Sequence, residues 1–568
     1  MGNFIKTQTS FANGEVSPNF FANGDLHGLG YMKNFDIIPG GGLKRRAGLK
    51  KIAKITSGAR IVPFSVSENE NYILVMTNNV IKVFSGDTFI QDIFSPWSYS
   101  DLNLLQYAQR FGTMIFVHPN YKPRILSCTN GIFQISDFGF SSSDGGDNLD
   151  MPFTRFEDSE NINITITHSG DDFHLTTNHD FWTQSNVGGH LSLLNKTWIV
   201  TSYVGARDVI ATCNGVFTMP IDPISDWKEA TFSPRRGWPC SITFHQNRLV
   251  FGGSKSWPGG VWMSHVGNHK NFNPGTGLDD EAIYFTLLSG MRQHICTIIS
   301  SDNLQILTSE GEWAVSNKPL TPSSINIKMH TNIGCVASRY IPPQSMDGKT
   351  VFVSKNKQDI RELDLDELSE NYSANNLCAL SQHLIQDPID ISYNKKDKKL
   401  FVVMSGGNMA VMNYNPSLDI SGWGRYTTQG EFCAVGVSGD NTFVITKRNS
   451  EYFLERFSDS DFVDVENYPY ESRACGLPLM TAGHNAKFTR IKKIIARMYK
   501  AKTLFINNKR AIFPNEIYAN DTDGFSGDIS MNILGTICDM TECPWEISTS
   551  DALPLMVLSI TLYGRYQI

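Results

Sequence analysis

The sequence lacks the features that several large classes of protein require. Only 18% of its 568 residues are charged, and Asp plus Glu (56) outnumber Lys plus Arg (49). A protein that binds free nucleic acid normally carries a basic excess, so the net charge of −7 argues against that class. No apolar run reaches the roughly 18 residues that a membrane-spanning helix needs. The N-terminus has no apolar stretch typical of a secretory signal, and we expect a protein made in the cytoplasm.

The ten cysteines are scattered, and no two of them form a Cys-x-x-Cys pair. Paired spacings of this kind mark zinc sites and dithiol redox motifs. In a chain without a secretory signal, dispersed cysteines are most simply reduced and buried, and that is our expectation here.

Signatures of catalysis and of metal binding are missing as well. The sequence has no Gly-x-Ser-x-Gly elbow, no Ser-x-x-Lys and no His-Glu-x-x-His. His265 and His269 are four residues apart, but Gly267 lies between them and argues against a helix that would present both to a metal. The acidic stretch Asn520–Asp528 lacks the Glu at position twelve that a calcium loop needs. We therefore expect no catalytic residue, no metal site and no cofactor.

A glycine-rich stretch, NFDIIPGGGLKRRAGLKKIA, runs from residue 34 to residue 53. A phosphate-binding P-loop requires Gly-Lys-Ser/Thr, and no Ser or Thr follows the basic residues until Thr56. The Gly-x-Gly-x-x-Gly pattern of dinucleotide sites is also absent. We interpret Pro39 and the three glycines after it as a tight turn in which glycine permits backbone conformations closed to larger residues.

The chain does contain many alternating apolar stretches, each ending at a turn signal. With 46 Gly, 35 Phe and 19 Tyr, its composition suits β-strands joined by tight turns. About seven such units recur, and where they are uninterrupted their starts are 40 to 56 residues apart, close to the length of a four-stranded propeller blade. The units begin at Ala59, Leu102, Trp238, His294, Gly348, Pro388 and Phe432. The pattern predicts an all-β protein with a β-propeller of about six or seven irregular blades; unrelated β-meanders or a β-sandwich are the alternatives.

Breaks in this rhythm suggest the domain boundaries. We expect an N-terminal platform segment (1–58), a first propeller part (59–140), an inserted β-domain (151–230), a second propeller part (231–457) and a C-terminal β-rich platform domain (458–568).

The N-terminal segment also carries a recognisable order of motifs. An aromatic-x-x-Gly-Glu-x-Ser-Pro opening (Phe11 to Pro18) is followed by Asn34-Phe35, by Pro-x-Gly-Gly from Pro39 and by Arg-Arg-x-Gly from Arg45. Later stretches such as WPCSITFHQNRLVFGGS (238–254) and GWGRYTTQG (422–430) continue in the expected order. In this order the chain resembles the tail nozzle proteins of short-tailed bacteriophages, the tail tubular protein B-like family. The resemblance runs nearly end to end but is poor around 151–230 and 458–500.

This resemblance implies a structural, non-enzymatic virion protein in the phage tail, assembled in the host cytoplasm. Its partners would be five further copies in a hexameric ring, a dodecameric tail adaptor below the portal, and tail fibres. Duplex DNA would pass through the axial channel without sequence-specific binding, and contact with the host cell surface would be indirect. The alternative is a tail-associated propeller that binds or cleaves host surface glycan.

Two groups of residues are candidates for roles in such an assembly. Arg45 and Arg46 are predicted to pair with acids of a neighbouring chain or of the adaptor, the alternative being two solvated arginines. The acidic loop SSSDGGDNLD, with Asp144, Asp147 and Asp150, is a candidate gate that narrows the channel before DNA exit; a solvated linker is the alternative.

Overall fold

The computed structural model describes residues 2–20, 27–143, 146–170, 172–213, 215–290, 293–316, 319–366, 371–458, 469–479, 488–513, 524–538, 542–551 and 553–567. In these residues the chain consists of β-strands and short 3₁₀-helices, without an α-helix. None of the helices found there is long and apolar enough to cross a membrane. The 3₁₀-helices are Pro18–Phe20, Asp101–Asn103, Glu157–Ser159, Gln184–Asn186, Gln382–Leu384 and Pro416–Leu418.

The chain divides into two compact units. Unit 1 comprises Met1–Tyr99, Ile341–Asp366 and Ser373–Ile568, and unit 2 comprises Ser100–Tyr340 and Glu367–Tyr372.

Six strands precede the first of the repeated sheets. They are β1 (Gly2–Gln8), β2 (Gly14–Glu15), β3 (Gly28–Lys33), β4 (Phe35–Ile37), β5 (Leu43–Arg45) and β6 (Leu49–Ile55).

The first two repeated sheets follow directly. Each is antiparallel and four-stranded, and we call such a sheet a blade. Blade 1 contains β7 (Arg60–Ser65), β8 (Asn71–Thr77), β9 (Val80–Ser85) and β10 (Thr88–Phe94). Blade 2 contains β11 (Gln106–Arg110), β12 (Thr113–His118), β13 (Tyr121–Thr129) and β14 (Ile132–Asp137).

A separate β-region interrupts the blades between residues 142 and 230. A short hairpin of β15 (Ser142–Ser143) and β16 (Asn148–Leu149) leads into a seven-stranded sheet in the order β17-β23-β20-β21-β22-β19-β18. Buried tryptophans fill its core, and the indole of Trp227 donates to the carbonyl of Ile162 at 2.8 Å. The strands are β17 (Phe153–Thr154), β18 (Ile164–Ser169), β19 (Asp172–Thr177), β20 (His190–Leu193), β21 (Lys196–Gly205), β22 (Asp208–Cys213) and β23 (Trp227–Ala230).

Five more blades follow this region. Blade 3 contains β24 (Ser241–His245), β25 (Arg248–Gly252), β26 (Gly260–Met263) and β27 (Ile283–Thr286). Blade 4 contains β28 (Ile295–Ser300), β29 (Leu304–Thr308), β30 (Glu312–Val315) and β31 (Ile327–Thr331). Blade 5 contains β32 (Gln344–Met346), β33 (Lys349–Val353), β34 (Ile360–Asp366) and β35 (Asn371–Asn376). Blade 6 contains β36 (Pro388–Asn394), β37 (Lys399–Met404), β38 (Met409–Asn415) and β39 (Ile420–Tyr426). Blade 7 joins β40 (Glu431–Ser438), β41 (Asn441–Arg448) and β42 (Glu451–Phe457) to β6 from the N-terminal segment.

Neighbouring blades pack side by side through their first strands. In unit 1, β32 contacts β36, β36 contacts β40, and β40 contacts β7. In unit 2, β11 contacts β24, and β24 contacts β28. Apolar side chains fill the space between adjacent blades, as between blades 7 and 1, where Ile61 and Ile73 meet Phe443 and Ile445. Stacking of this kind buries the apolar faces that a single four-stranded sheet would leave exposed. The predicted fold class is confirmed: the chain is an all-β protein of the β-propeller type. The described residues form seven blades, of which six are separate four-stranded sheets and blade 6 is part of a longer sheet.

The C-terminal strands form a platform with the N-terminal segment. They are β43 (Ser472–Gly476), β44 (Phe488–Ala501), β45 (Phe505–Ile506), β46 (Lys509–Arg510), β47 (Phe525–Cys538), β48 (Glu546–Thr549) and β49 (Met556–Gln567). One sheet has the order β4-β5-β49-β44-β47, with β1 also paired to β49. A second sheet extends blade 6 in the order β36-β37-β38-β39-β2-β3-β43-β48-β45-β46.

Candidate functional site: the joint formed by the N-terminal motif

The residues of the N-terminal motif lie where blade 6 meets the platform strands. Short strand β2 runs parallel to both β3 and β39, with Gly14 opposite Trp423. Strand β3 then pairs antiparallel to β43, with Met32 opposite Ala474. We call residues 11–20 and 27–48, together with His383 and the residues of 420–427, 470–476 and β49 that they contact, the joint. It makes blade 6 continuous with one of the two platform sheets, the sheet that contains β43, β48, β45 and β46.

Gly14 is required by this geometry. Its φ of +62° lies in the left-handed region, and a Cβ there would be 2.3 Å from the carbonyl oxygen of Trp423. Because backbone atoms occupy that space, β2 can approach β39 only with glycine at this position.

Glu15 provides a buried carboxylate at the centre of the joint. Its Oε2 accepts hydrogen bonds from the Met32 N–H at 2.8 Å and from Nε of Arg425 at 3.1 Å. Its Oε1 accepts from Nε2 of His383 at 2.9 Å and from a second guanidinium nitrogen of Arg425. Burial alone raises the pKa of Glu15, but the hydrogen bonds from His383 and Arg425 outweigh that effect and hold the pKa below its ordinary value of 4.5. Glu15 is therefore ionised at neutral pH and fastens the N-terminal segment to blade 6.

Asn34 forms a second fastening point. It is fully buried with a left-handed φ of 54°, which asparagine tolerates better than most residues. Its side-chain nitrogen donates to the carbonyl of Glu471 at 2.7 Å, and its side-chain oxygen accepts from Nε of Arg46 and from the N–H of Thr427, both at 2.9 Å. One amide thus links three separate segments of the chain.

Arg45 and Arg46 are interior residues of the joint. Their exposed fractions are 3% and 1%. Arg45 donates to the carbonyl of Tyr470 at 2.7 Å and to Oγ of Ser472 at 3.1 Å. Arg46 donates to the carbonyls of Ala47 and Thr427 at 2.7 and 2.9 Å.

The ring of Tyr470 lies against both guanidinium groups. Its centroid is 4.5 Å from the guanidinium carbon of Arg45 and 3.7 Å from that of Arg46, which places both in cation–π contact. The prediction that these arginines pair with a neighbouring chain or the adaptor is corrected accordingly, and so is the solvated alternative. Buried guanidinium groups whose donors point at the same chain do not present a charged surface.

The glycine stretch is the turn of the β4–β5 hairpin. The N–H of Ile38 donates to the carbonyl of Gly42, and the N–H of Gly41 donates back to the carbonyl of Ile38, both at 2.9 Å. Gly40 and Gly41 have φ angles of +119° and +81°, in the region that favours glycine. The predicted tight turn is confirmed, and strand β5 places it in the platform sheet beside β49.

The candidate gate loop is held by its own chain wherever it is described. Asp144 lies outside the described residues. Asp147 forms an ion pair with Lys196 at 3.0 Å, and Asp150 is buried, accepting from Oγ of Ser141 at 2.8 Å. A buried carboxylate cannot line a channel, so the prediction is wrong for Asp150. A gating role for Asp147 stays a prediction.

One cavity of the described chain lies within unit 2. It has a volume of about 290 Å³, and no carboxylate is among its lining residues. The thiol of Cys240 lines it, and burial raises the pKa of that thiol to about 12, which leaves it protonated and unreactive at neutral pH. The pair of carboxyl groups that glycoside hydrolysis uses is therefore not found in this cavity.

Five described carboxyl groups, those of Glu15, Asp87, Asp158, Glu281 and Asp528, have a clearly shifted pKa. A general acid working at neutral pH needs a raised pKa. Wherever the pKa of a described carboxyl group departs clearly from its ordinary value, it is lowered, as for Glu15 and Asp158. In the described ranges, no cluster of three or more His, Cys, Asp or Glu side chains is arranged to hold a metal ion.

The cysteines meet the expectation only in part. Cys335, Cys378 and Cys475 are buried, whereas Cys543 is exposed, so the prediction of buried cysteines is wrong there. Five others are half-buried, namely Cys128, Cys213, Cys240, Cys296 and Cys433. The sulfur of Cys543 lies 2.8 Å from that of Cys475. Sequence reasoning missed this contact because 68 positions separate the two residues. It likewise missed the cluster of Glu15, Arg425 and His383.

Among the comparisons with known proteins, only the comparison with solved structures finds similar proteins. No protein-family model and no curated protein sequence matches the chain. The WD40 domain of Neurospora crassa Pan2 is similar over 73% of this chain and 95% of its own, at 10% identity and a TM-score of 0.35. BamB from Moraxella catarrhalis is similar over 73% and 99%, at 10% identity and a TM-score of 0.34. YCF48 bound to D1 peptide is similar over 75% and 98%, at 10% identity and a TM-score of 0.30. Since all three scores are low, the assignment of a propeller-type fold rests on the seven blades of the chain itself.

Proposed function

We propose that this chain is a structural subunit of a short-tailed bacteriophage tail, six copies of which form the nozzle through which DNA leaves. The partners that this proposal includes are the tail adaptor, the tail fibres and the passing duplex. The observation that carries it is the order of motifs in the N-terminal segment, together with the joint that those motif residues build.

The construction of the joint supports a mechanical role. Gly14, Glu15, Asn34, Arg45 and Arg46 all belong to the motif, and their contacts connect blade 6 to the platform within unit 1. A conduit for DNA under pressure needs stiff connections between its parts. Buried hydrogen-bonded networks provide stiffness, because breaking one contact leaves another group unsatisfied.

The charge of the chain is compatible with a conduit. Non-specific DNA affinity comes from Lys and Arg groups that neutralise phosphates. With a net charge of −7 per chain, a ring of six would have little overall attraction for the duplex, so DNA would slide rather than bind.

The experiment that tests the proposal is electron microscopy of the purified protein, alone and mixed with portal–adaptor rings from the same phage. We expect hexameric rings with an axial channel that cap the adaptor. Mass photometry provides the matching readout, a species of six times 63.5 kDa. A monomer that ignores the adaptor would contradict the proposal, and loss of polysaccharide in the presence of the purified protein would favour the glycan-cleaving alternative.

A matched pair of variants connects the joint to assembly. Arg46→Ala should reduce ring formation on the adaptor, because it loosens the joint from inside. Arg497→Ala removes a guanidinium of the platform strand β44 that is not part of the joint, so it controls for the loss of one arginine. Equal assembly by both variants would show that the joint does not contribute to the ring.

A further inference from the structure

The two sulfur atoms in contact belong to neighbouring parts of the platform. Cys475 lies in β43, and Cys543 lies three residues before β48, the strand that pairs with β43. Their Sγ atoms are 2.8 Å apart. A disulfide bond is about 2.05 Å long, so the two sulfurs need to approach by less than about 1 Å to form one. Cys475 is buried, whereas Cys543 is exposed and accessible to a reagent in solution.

The surrounding residues hold the two thiols in this position. A Cβ on Gly30 would lie 3.0 Å from Sγ of Cys543 and 3.5 Å from Sγ of Cys475, so the glycine of β3 leaves the space that the sulfurs occupy. Trp545, two residues after Cys543, is buried against Gly476 and packs edge-on against Phe11 with ring centroids 6.0 Å apart. This anchored indole fixes the segment that carries Cys543.

The electrostatics distinguish the two thiols. A hydrogen bond from Cys475 lowers the pKa of Cys543 and outweighs partial burial and the negative charge of Glu546, which both raise it; the positive charge of Arg473 also lowers it. The same hydrogen bond, together with burial, raises the pKa of Cys475. Burial raises the pKa of Cys378 and Cys433 to about 11, so these thiols are unreactive by comparison.

We propose that Cys475 and Cys543 are a disulfide-forming pair that closes when the protein meets a small-molecule disulfide such as oxidised glutathione. The thiolate of Cys543 attacks one sulfur of oxidised glutathione, breaks its S–S bond and releases one glutathione thiolate. Cys475 then gives up its proton, and its sulfur attacks Sγ of Cys543 and displaces the second glutathione thiolate. The protein loses two protons and two electrons, and one glutathione disulfide becomes two thiols. This inference is independent of the proposed function.

The bond would close a loop that contains β44, β45, β46 and β47. A crosslink across a loop of this length restricts the unfolded chain and favours the folded state. The oxidised protein should therefore unfold at a higher temperature than the reduced protein, by about 5 °C if the effect is of ordinary size.

The test uses the full-length protein, reduced, freed of reductant and then exposed to oxidised glutathione under native conditions. We expect the intact mass to fall by about 2 Da, since two hydrogens leave and one S–S bond forms. A tryptic map should join the peptide of residues 474–487 to that of residues 511–565. Because Cys538 lies in the second peptide as well, Cys538→Ser is the matched control and should keep the link, whereas Cys543→Ser should abolish it.

Several outcomes would overturn the proposal. They are an unchanged thiol count in wild-type protein after excess oxidant, a stable glutathione adduct on Cys543, and a link that disappears in Cys538→Ser. The peptide map of the wild-type protein shows by itself whether the two peptides are linked. The proposal can therefore be refuted even if a variant fails to fold.

Discussion

Replacing Arg46 by alanine is expected to destabilise the joint by about 3 kcal/mol. The change removes donors to Asn34, Ala47 and Thr427 and the contact with the Tyr470 ring. Hydrogen bonds to charged groups contribute about 1.5–3 kcal/mol each, and a desolvated cation–π contact about 2. This loss is partly offset, because burying the guanidinium in the wild-type protein costs several kcal/mol of desolvation and the alanine variant avoids that cost. A net value of about 3 kcal/mol lies within the range for emptying a large buried site.

Hydrogen exchange measured by mass spectrometry reports on the joint directly. A loss of 3 kcal/mol corresponds to a fall of about 100-fold in the protection of amides that exchange by opening of the joint, since each 1.4 kcal/mol is a factor of ten. Peptides covering residues 28–47 and 469–476 should show it. Arg497→Ala, with an exposed guanidinium in the same unit, should leave these peptides unchanged.

A second substitution separates packing from hydrogen bonding. Arg46→Met keeps much of the side-chain volume but leaves the carbonyls of Ala47 and Thr427 without this donor. It should recover part of the stability and remain about 1–3 kcal/mol below wild type. If amides of the joint were protected in Arg46→Met as well as in wild type, the guanidinium would contribute nothing beyond its volume, and its hydrogen bonds would not stabilise the joint.

Three further predictions concern neighbouring features. Glu15→Gln should lower the thermal midpoint at pH 7, and thermal scans at pH 7, 4.5 and 3 check this. The difference from wild type should shrink as the pH falls below 4.5, because a carboxylate with a lowered pKa stabilises the fold fully above its ordinary pKa and loses this effect as the pH falls through the lower pKa of the folded protein. Gly14→Ala should reduce the yield of soluble protein much more than Gly86→Ala, since both have left-handed φ angles but only the first would meet backbone atoms, and nothing lies within 4 Å of a Cβ at Gly86. Lys196→Ala removes the ion-pair partner of Asp147 and should speed proteolytic cleavage within residues 141–150; cleavage at the wild-type rate would show that the pair does not hold the loop.

The blades were predictable because each carries its signal locally. Alternating apolar residues and turn residues occur within a few positions of one another, and the units starting at Ala59, Trp238, His294 and Pro388 coincide with the starts of blades 1, 3, 4 and 6 to within three residues. Blade 5 was located one strand late, at Gly348. Its first strand, Gln344–Met346, has only three residues, which is too short to show alternation.

Closure of blade 7 by β6 was outside the reach of the same reasoning. Strand β6 pairs with β42, Leu49 lying opposite Phe457 across some 400 positions of sequence. Nothing in the pattern of LKKIAKI identifies its partner, because pairing over such a distance depends on the arrangement of the other blades. The contact between the thiols of Cys475 and Cys543 was hidden for the same physical reason.

The site prediction failed at Arg45 and Arg46 because charge was taken as a sign of exposure. Arginine is usually on the surface, and a burial site for it must supply acceptors in the right directions. Here the acceptors are mostly backbone carbonyls, those of Ala47, Thr427 and Tyr470, and backbone carbonyls have no sequence signature. Only the folded chain shows that they converge.

The location of the motif residues has a consequence for the proposed ring. The motif residues that build the joint are mostly buried, so they connect blade 6 and the platform within one chain. The contacts that would join six chains, or a chain to the adaptor, must be made by exposed residues, and these lie largely outside the motif. The motif residues thus concern the architecture of the proposed subunit, whereas its interfaces depend on other residues. For this reason, electron microscopy of the assembled protein tests the proposal more sharply than substitutions of motif residues, which would weaken any protein built on this joint, whatever it assembles with.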